Sequence, residues 1–112
     1  MIEAWLVIYL LAAHFVADFV CQTTWMGLNK SKSNWILTLH VLIYTAVIAF
    51  LADGFVESPL TFAALNGILH WPIDWISSRL AGKYHREGRL YAFWKVIGLD
   101  QLAHMTCLIL LA

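Results

Sequence analysis

Four long apolar stretches dominate this chain of 112 residues. A membrane-crossing helix needs about 20 mostly apolar residues, and each stretch approaches that length. Hydrophobic residues make up 62% of the chain and charged residues 12%, whereas a soluble domain carries about 25% charged residues. The predicted spans are 2–22, 35–52, 60–80 and 95–112. We therefore expect an all-α polytopic membrane protein with one transmembrane domain, 1–112, folded as a four-helix bundle.

The basic residues are unevenly distributed. Seven Lys and Arg balance seven Asp and Glu, so no excess positive charge favours a nucleic-acid partner, and we exclude that class. Lys30 and Lys32 follow the first span, and the other basic residues lie within 79–95. Because cytoplasmic loops are enriched in Lys and Arg, we expect a bacterial inner-membrane protein with both termini outside. The mixed basic and aromatic segment 82–94 predicts a short interfacial helix between the third and fourth spans.

Seven ionisable side chains fall inside the predicted spans, where such groups are costly and mark a functional site by default. Residues four apart share a helix face, and three His/Asp pairs have that spacing. The fourth span runs opposite to the first and third, and its pair has the reverse order. We therefore expect all these side chains to meet at one height, nearer the cytoplasmic face. They are the pairs His14/Asp18, His70/Asp74 and Asp100/His104, and the single His40.

Clustered Asp and His side chains are suitable ligands for divalent metals such as zinc, manganese or iron. No Lys or Arg is expected beside the carboxylates, so cations or protons must compensate for their charge. We expect one or two ions, with zinc as the first choice. The expected ligands are His14, Asp18, His70, Asp74, Asp100 and His104. The candidate catalytic residues are His40, as ligand or general base, and Asp18. The residues expected to support them by hydrogen bonds are Gln22, Gln101, Tyr44 and Asn66.

The same residues carry a resemblance to a known family. Its pattern is H-x-x-A-D-F-x-x-Q, a lysine-rich turn, a lone His, H-x-x-x-D and D-Q-x-x-H. The matching positions are 14–22, Lys30, His40, 70–74 and 100–104. The chain thus resembles small, uncharacterised multispan membrane proteins of bacteria and phages, classed as a domain of unknown function. The H-x-x-x-D motif also resembles that of bacterial membrane proteins described as metal-dependent hydrolases, which implies hydrolysis as an activity.

Two classes of function fit these residues. The first is a metal-dependent hydrolase acting on a lipid, a lipid-linked or a membrane-embedded substrate, with a spare Asp or His moving the proton. The second is a transporter of protons, ions or metal, although the outer halves of the spans, such as 6–11 and 46–51, are apolar. A homo-oligomer would have to supply a polar path there. A non-catalytic bundle stapled by metal, as in a phage or host-interaction protein, is a further alternative.

Overall fold

The computed structural model describes residues 2–112, and most of that range is helical. No strand occurs between residues 2 and 112, so the predicted all-α class is confirmed. A π-helical turn, Val16–Val20, directly continues the first helix. The five α-helices are α1 Ala4–Phe15, α2 Thr24–Asn29, α3 Asn34–Ala52, α4 Pro59–Arg86 and α5 Leu90–Leu111.

The four long helices pack in the ring order α1, α3, α4, α5, and α5 closes the ring against α1. Consecutive long helices are antiparallel. Trp71 Nε1 on α4 donates a hydrogen bond to Thr38 Oγ1 on α3 at 3.0 Å. One turn further along α4, Trp75 Nε1 donates to Asn34 Oδ1 near the start of α3. One half of the ring is filled by apolar side chains, among them Leu10, Tyr44, Ile48, Phe62 and Leu108.

Local side-chain chemistry sets the ends of the helices. Thr23 Oγ1 accepts a hydrogen bond from the Met26 N–H at 3.1 Å and caps α2, and Ser33 caps α3 in the same way. Pro59 is the first residue of α4, where its missing N–H leaves no bond unmade. Gly88 has a φ of 71°, which a residue with a Cβ rarely adopts. The chain therefore turns sharply between α4 and α5.

The prediction of an interfacial helix at 82–94 is wrong. Helix α4 continues through this segment as far as Arg86, and α5 already begins at Leu90. Nothing in 82–86 breaks the helical hydrogen bonds before the turn at Gly88. The fifth helix of the protein is instead α2, which lies between the first and second predicted spans.

Length and apolar composition allow two helices, α3 and α5, to cross a membrane. The segment Ala4–Val20 is apolar but shorter. Helix α4 is long, but Asn66, His70 and Asp74 lower its hydropathy near the middle. Two of the four predicted spans therefore meet this criterion, and the four-span bundle stays a prediction.

Gly67 marks a close approach between α3 and α4. A Cβ on this residue would collide with Thr45 Oγ1 and lie 3.3 Å from Thr45 Cβ. We expect Gly67→Ala to destabilise the protein by about 1–3 kcal/mol, as overpacking usually does. Gly98 is the control, because a Cβ there meets nothing within 4 Å. Gly98→Ala should be neutral or stabilising. Thermal unfolding followed by circular dichroism measures both, and equal unfolding temperatures for the two variants would contradict this packing.

Candidate metal centre

Seven ionisable side chains meet in the interior of the ring, on its more polar half. We call them the His/Asp cluster. None is more than 8% exposed. They come from α1, the π-helical turn, α3, α4 and α5, so every long helix contributes. The structure thus brings together His14, Asp18, His40, His70, Asp74, Asp100 and His104.

All four histidines of the cluster direct their Nε2 atoms towards carboxylate oxygens, and His14 Nε2 lies 3.6 Å from Asp18 Oδ2. His40 Nε2 lies 3.0 Å from Asp18 Oδ1, and His70 Nε2 lies 3.6 Å from the same oxygen. His104 Nε2 lies 3.1 Å from Asp100 Oδ1. The rings of His70 and His104 stack with centroids 3.8 Å apart. These contacts hold imidazole nitrogens and carboxylate oxygens of the candidate ligands close to one another, whereas His70 Nδ1 is buried without a hydrogen-bond partner in residues 2–112.

Three overlapping groups within the cluster could hold a metal ion. In each group the ligand atoms lie within 4.8 Å of one another. The imidazole nitrogens and carboxylate oxygens form a donor set that suits zinc, manganese or iron. The residues present therefore fit a divalent ion, within what is otherwise a network of ion pairs and hydrogen bonds. The groups are Asp18–His70–His104, His40–His70–Asp74 and Asp74–Asp100–His104.

His14 lies at the edge of the cluster and belongs to none of these groups. Its Nε2 donates a hydrogen bond to Gln101 Oε1 at 2.7 Å, and its Nδ1 lies 3.4 Å from the Tyr44 hydroxyl. Gln101 Nε2 in turn donates to Asp100 Oδ2 at 2.8 Å and to Asp18 Oδ2 at 3.3 Å. Gln101 therefore links His14 to two carboxylates. This arrangement gives His14 a supporting contact, and its expected role as a ligand stays a prediction.

The other residues expected to support the ligands differ in their contacts. The Tyr44 ring packs on His70 with centroids 4.1 Å apart. Asn66 Nδ2 donates to the Phe62 carbonyl of its own helix at 2.8 Å. Gln22 lines a cavity next to the cluster, and its Oε1 is buried without a hydrogen-bond partner in residues 2–112. Tyr44 therefore contacts a candidate ligand directly, whereas the Asn66 amide group caps a backbone carbonyl.

Lys30 lies in the site, although sequence reasoning placed it in a loop. Its Nζ donates to both oxygens of Asp74, at 2.9 and 3.1 Å, and its side chain is only 15% exposed. The expectation that no Lys or Arg accompanies the carboxylates is therefore wrong. The lysine comes from the turn after α2, and not from a span. Its place in the lysine-rich turn of the motif was the only signal in the sequence.

Ser77 is a second residue that sequence reasoning missed. Its hydroxyl hydrogen-bonds to Asp100 Oδ1 and ties α4 to α5. Ser77 follows Asp74 by three residues and His70 by seven, so it lies on the same face of α4. That spacing was a usable signal, although a serine is too common in helices for spacing alone to single it out.

A cavity of about 480 Å³ adjoins the cluster. One side is formed by the carboxylate residues Asp18, Asp74 and Asp100. The other sides are formed by the turn 30–32, by Arg86 and its neighbours at the end of α4, and by residues early in α5. The cavity therefore connects the cluster with the basic end of the bundle.

A comparison with family models matches residues 6–112 to the family "Protein of unknown function (DUF3307)". The chain belongs to this family. No curated protein and no solved structure matches the DUF3307 chain. Membership of an uncharacterised family is therefore confirmed, whereas the motif pattern, the multispan character and the resemblance to metal-dependent hydrolases stay predictions.

We expect zinc, manganese or ferrous ions to raise the unfolding temperature of metal-free protein. An ion at 100 times its Kd stabilises the folded state by about 2.7 kcal/mol. His70→Ala should abolish the shift, because His70 belongs to two of the three groups. His85→Ala should keep it, because His85 is exposed and lies outside the cluster. Thermal shift measurements with and without each ion provide the test. A shift in His70→Ala as large as that of the wild type would contradict these ligands.

Proposed function

We propose that this DUF3307 protein is an intramembrane metal-dependent hydrolase that acts on a lipid, a lipid-linked or a membrane-embedded substrate. The observation that carries the proposal is the His/Asp cluster, buried among four helices yet adjoining a cavity. A purely structural polar network needs no cavity beside its carboxylates. A reaction centre needs one, because water and substrate have to reach it.

The exterior of the bundle supports a membrane location. Trp35, Phe50 and Leu110 are 84%, 80% and 77% exposed. Only 33% of the apolar window of α3 and 17% of that of α5 is buried, whereas the core helix of a soluble protein is mostly buried. The longest dimension, 44 Å, is close to the roughly 40–45 Å of a bilayer with its headgroups. A four-span topology accounts for the exposed apolar side chains, for the low burial of α3 and α5 and for the length of the bundle.

The charge of the cluster supports one divalent ion. Its three carboxylates face a single lysine, which leaves two negative charges when the histidines are neutral. Buried charges require compensation, and one divalent cation supplies it. Lys30 already holds both oxygens of Asp74, so we place the ion at Asp18, His70 and His104. Zinc is the first choice for these donors, with manganese and iron as alternatives.

His40 is the side chain best placed to move a proton. It lies outside the three proposed ligands, and its Nε2 is 3.0 Å from Asp18 Oδ1 and 3.6 Å from Asp74 Oδ2. These carboxylates orient the imidazole, and histidine is the residue type that most often transfers protons in catalysis. A divalent ion, when bound, polarises the bond to be broken and activates water for attack. Asp18 therefore has two roles, as ligand and as the partner of His40.

Transport through the bundle has less support. Beyond the cluster the interior is apolar, and Leu10, Ile48 and Leu108 are at most 1% exposed. The large cavity lies on the opposite side of the cluster from this apolar layer. A polar path for transported ions would therefore have to be lined by a second copy of the chain. The alternative that an experiment has to separate is therefore a non-catalytic bundle stapled by metal.

Hydrolysis is tested with water labelled by ¹⁸O. We expect zinc-loaded wild-type protein to convert part of a bacterial lipid extract into products that contain one ¹⁸O, detected by mass spectrometry. His40→Ala should lower the rate by about 10²–10⁴-fold, the usual contribution of acid–base catalysis, and keep the bound metal. Lys83→Ala is the control and should keep the rate, because Lys83 is exposed and does not line the cavity. If metal-loaded wild-type protein gives no labelled product, the hydrolase proposal is wrong and the non-catalytic bundle stapled by metal explains the site better.

The number of ions is tested at Lys30. We expect wild-type protein to bind one ion and Lys30→Met to bind two, because the variant frees Asp74 and leaves a third negative charge that one divalent ion does not compensate. Lys32→Met removes the same charge from the same turn and should bind one ion. Elemental analysis against protein concentration measures all three. One ion in both variants would show that Lys30 does not compete with a second metal.

A further inference from the structure

The cavity beside the cluster has three chemically distinct sides. The carboxylates of the His/Asp cluster form its floor. Its rim carries basic side chains, including Lys32 and Arg86, and apolar side chains form part of its wall, including Phe19 and Leu28. A ligand that fills this space therefore combines an anionic group with an apolar part.

Lys32 and Arg86 on the rim have no acidic partner within residues 2–112. In residues 2–112, the ion pairs of Lys and Arg with carboxylates are Lys30–Asp74 and Arg89–Glu87. Lys32 and Arg86 take part in neither pair. Arg86 also folds back along α4, since its Nη1 lies 3.3 Å from the position of a Cβ on Gly82. Ser31 Oγ lies 3.9 Å from the same position, so the guanidinium group and the turn 30–32 approach one another over this glycine.

A neutral donor and exposed apolar groups complete the cavity. Ser78 Oγ is buried on its lining and has no hydrogen-bond partner in residues 2–112. Phe19 is 46% exposed and Leu28 is 66% exposed. An arginine, a lysine and a hydroxyl suit a phosphate group, which accepts several charge-assisted hydrogen bonds. The exposed apolar side chains suit an attached hydrocarbon chain and give no advantage to free phosphate.

We propose that the cavity binds the phosphate group of a lipid, with Arg86 and Lys32 on the phosphate and Phe19 and Leu28 on the hydrocarbon part. This assignment rests on the proposed function. The carboxylates of the floor repel a phosphate group unless a bound metal ion offsets their negative charge. The assignment names the substrate class of the hydrolase as a lipid phosphate ester. In that reaction the water oxygen bonds to phosphorus, the P–O bond to the alcohol breaks, and the proton from water ends on the alcohol.

Native mass spectrometry of zinc-loaded protein in uncharged detergent tests this site. The titrated probes are phosphatidic acid, diacylglycerol with the same acyl chains, and inorganic phosphate. We expect phosphatidic acid to bind at least about tenfold more tightly than either of the other two. Arg86→Gln and Lys32→Gln should each weaken its binding about tenfold or more, since each removes a charged hydrogen-bond donor.

Lys83→Gln is the matched control, because Lys83 lies in the same last turn of α4 as Arg86 and is exposed. It does not line the cavity and should keep wild-type affinity. An equal loss in Lys83→Gln and Arg86→Gln would overturn the proposal in favour of general surface attraction. Equal affinity for inorganic phosphate and phosphatidic acid would overturn the lipid assignment. Metal content is measured on every sample, so a protein that holds zinc but shows no preference for phosphatidic acid rejects this site alone, and a protein without zinc rejects the proposed function.

Discussion

The placement of three carboxylates inside an apolar helical bundle is the constraint on which the rest of the structure depends. A buried carboxylate without partners is strongly unfavourable. Each one here is compensated by side chains from other parts of the chain. Asp74 accepts from Lys30, Asp18 from His40 and Gln101, and Asp100 from Ser77 and Gln101. Lys30 and His40 come from other segments than the carboxylates they contact, so Asp74 and Asp18 gain these partners only when the ring of helices has closed.

The bundle separates into an apolar half and a polar half, and the boundary lies close to the π-helical turn. Within this turn the Val16 carbonyl accepts from the Cys21 N–H, five residues later. Such wider turns are often found at functional sites. Asp18 lies in the turn and contacts His40 across the ring. The local widening and the buried charge therefore occur at the same position. In the part of the chain that the structure describes, the apolar half of the bundle contains no buried charge, and its helices continue without a π-helical turn.

Much of the site could be predicted from the spacing of its residues. Pairs four apart predict a shared helix face, and the reversed order of Asp100 and His104 predicts an antiparallel fourth helix. Both inferences need only helix geometry, and the contacts among the pairs agree with them. The hydrogen bond from His14 to Gln101 was not predictable in this way. Side-chain rotation, and not helix position, decides whether a histidine nitrogen faces a ligand position or a neighbouring amide.

The spacing of residues also could not predict what the segments between the long helices contribute. The composition of 82–94 suggested a separate helix, but the backbone hydrogen bonds of α4 continue without a break as far as Arg86. Lys30 suggested only the side of the membrane on which its loop lies. Its role depends on α2, which begins at the Thr23 cap and positions the following turn beside the bundle. A side chain in a connection can reach a buried group only through such a tertiary arrangement, which no periodicity in the sequence reports.

The turn 30–32 couples the two halves of the proposed chemistry. Lys30 neutralises Asp74 within the cluster, and Lys32 lies on the rim of the cavity. Only one residue separates them, so a shift of the turn moves both positive charges together. A phosphate group drawn towards Lys32 and Arg86 therefore acts on the same segment that holds Lys30 against Asp74. The proposed ion at Asp18, His70 and His104 and the proposed phosphate site are thus both influenced by the charges of the turn 30–32. Their affinities are expected to depend on each other, because linkage between two sites is reciprocal.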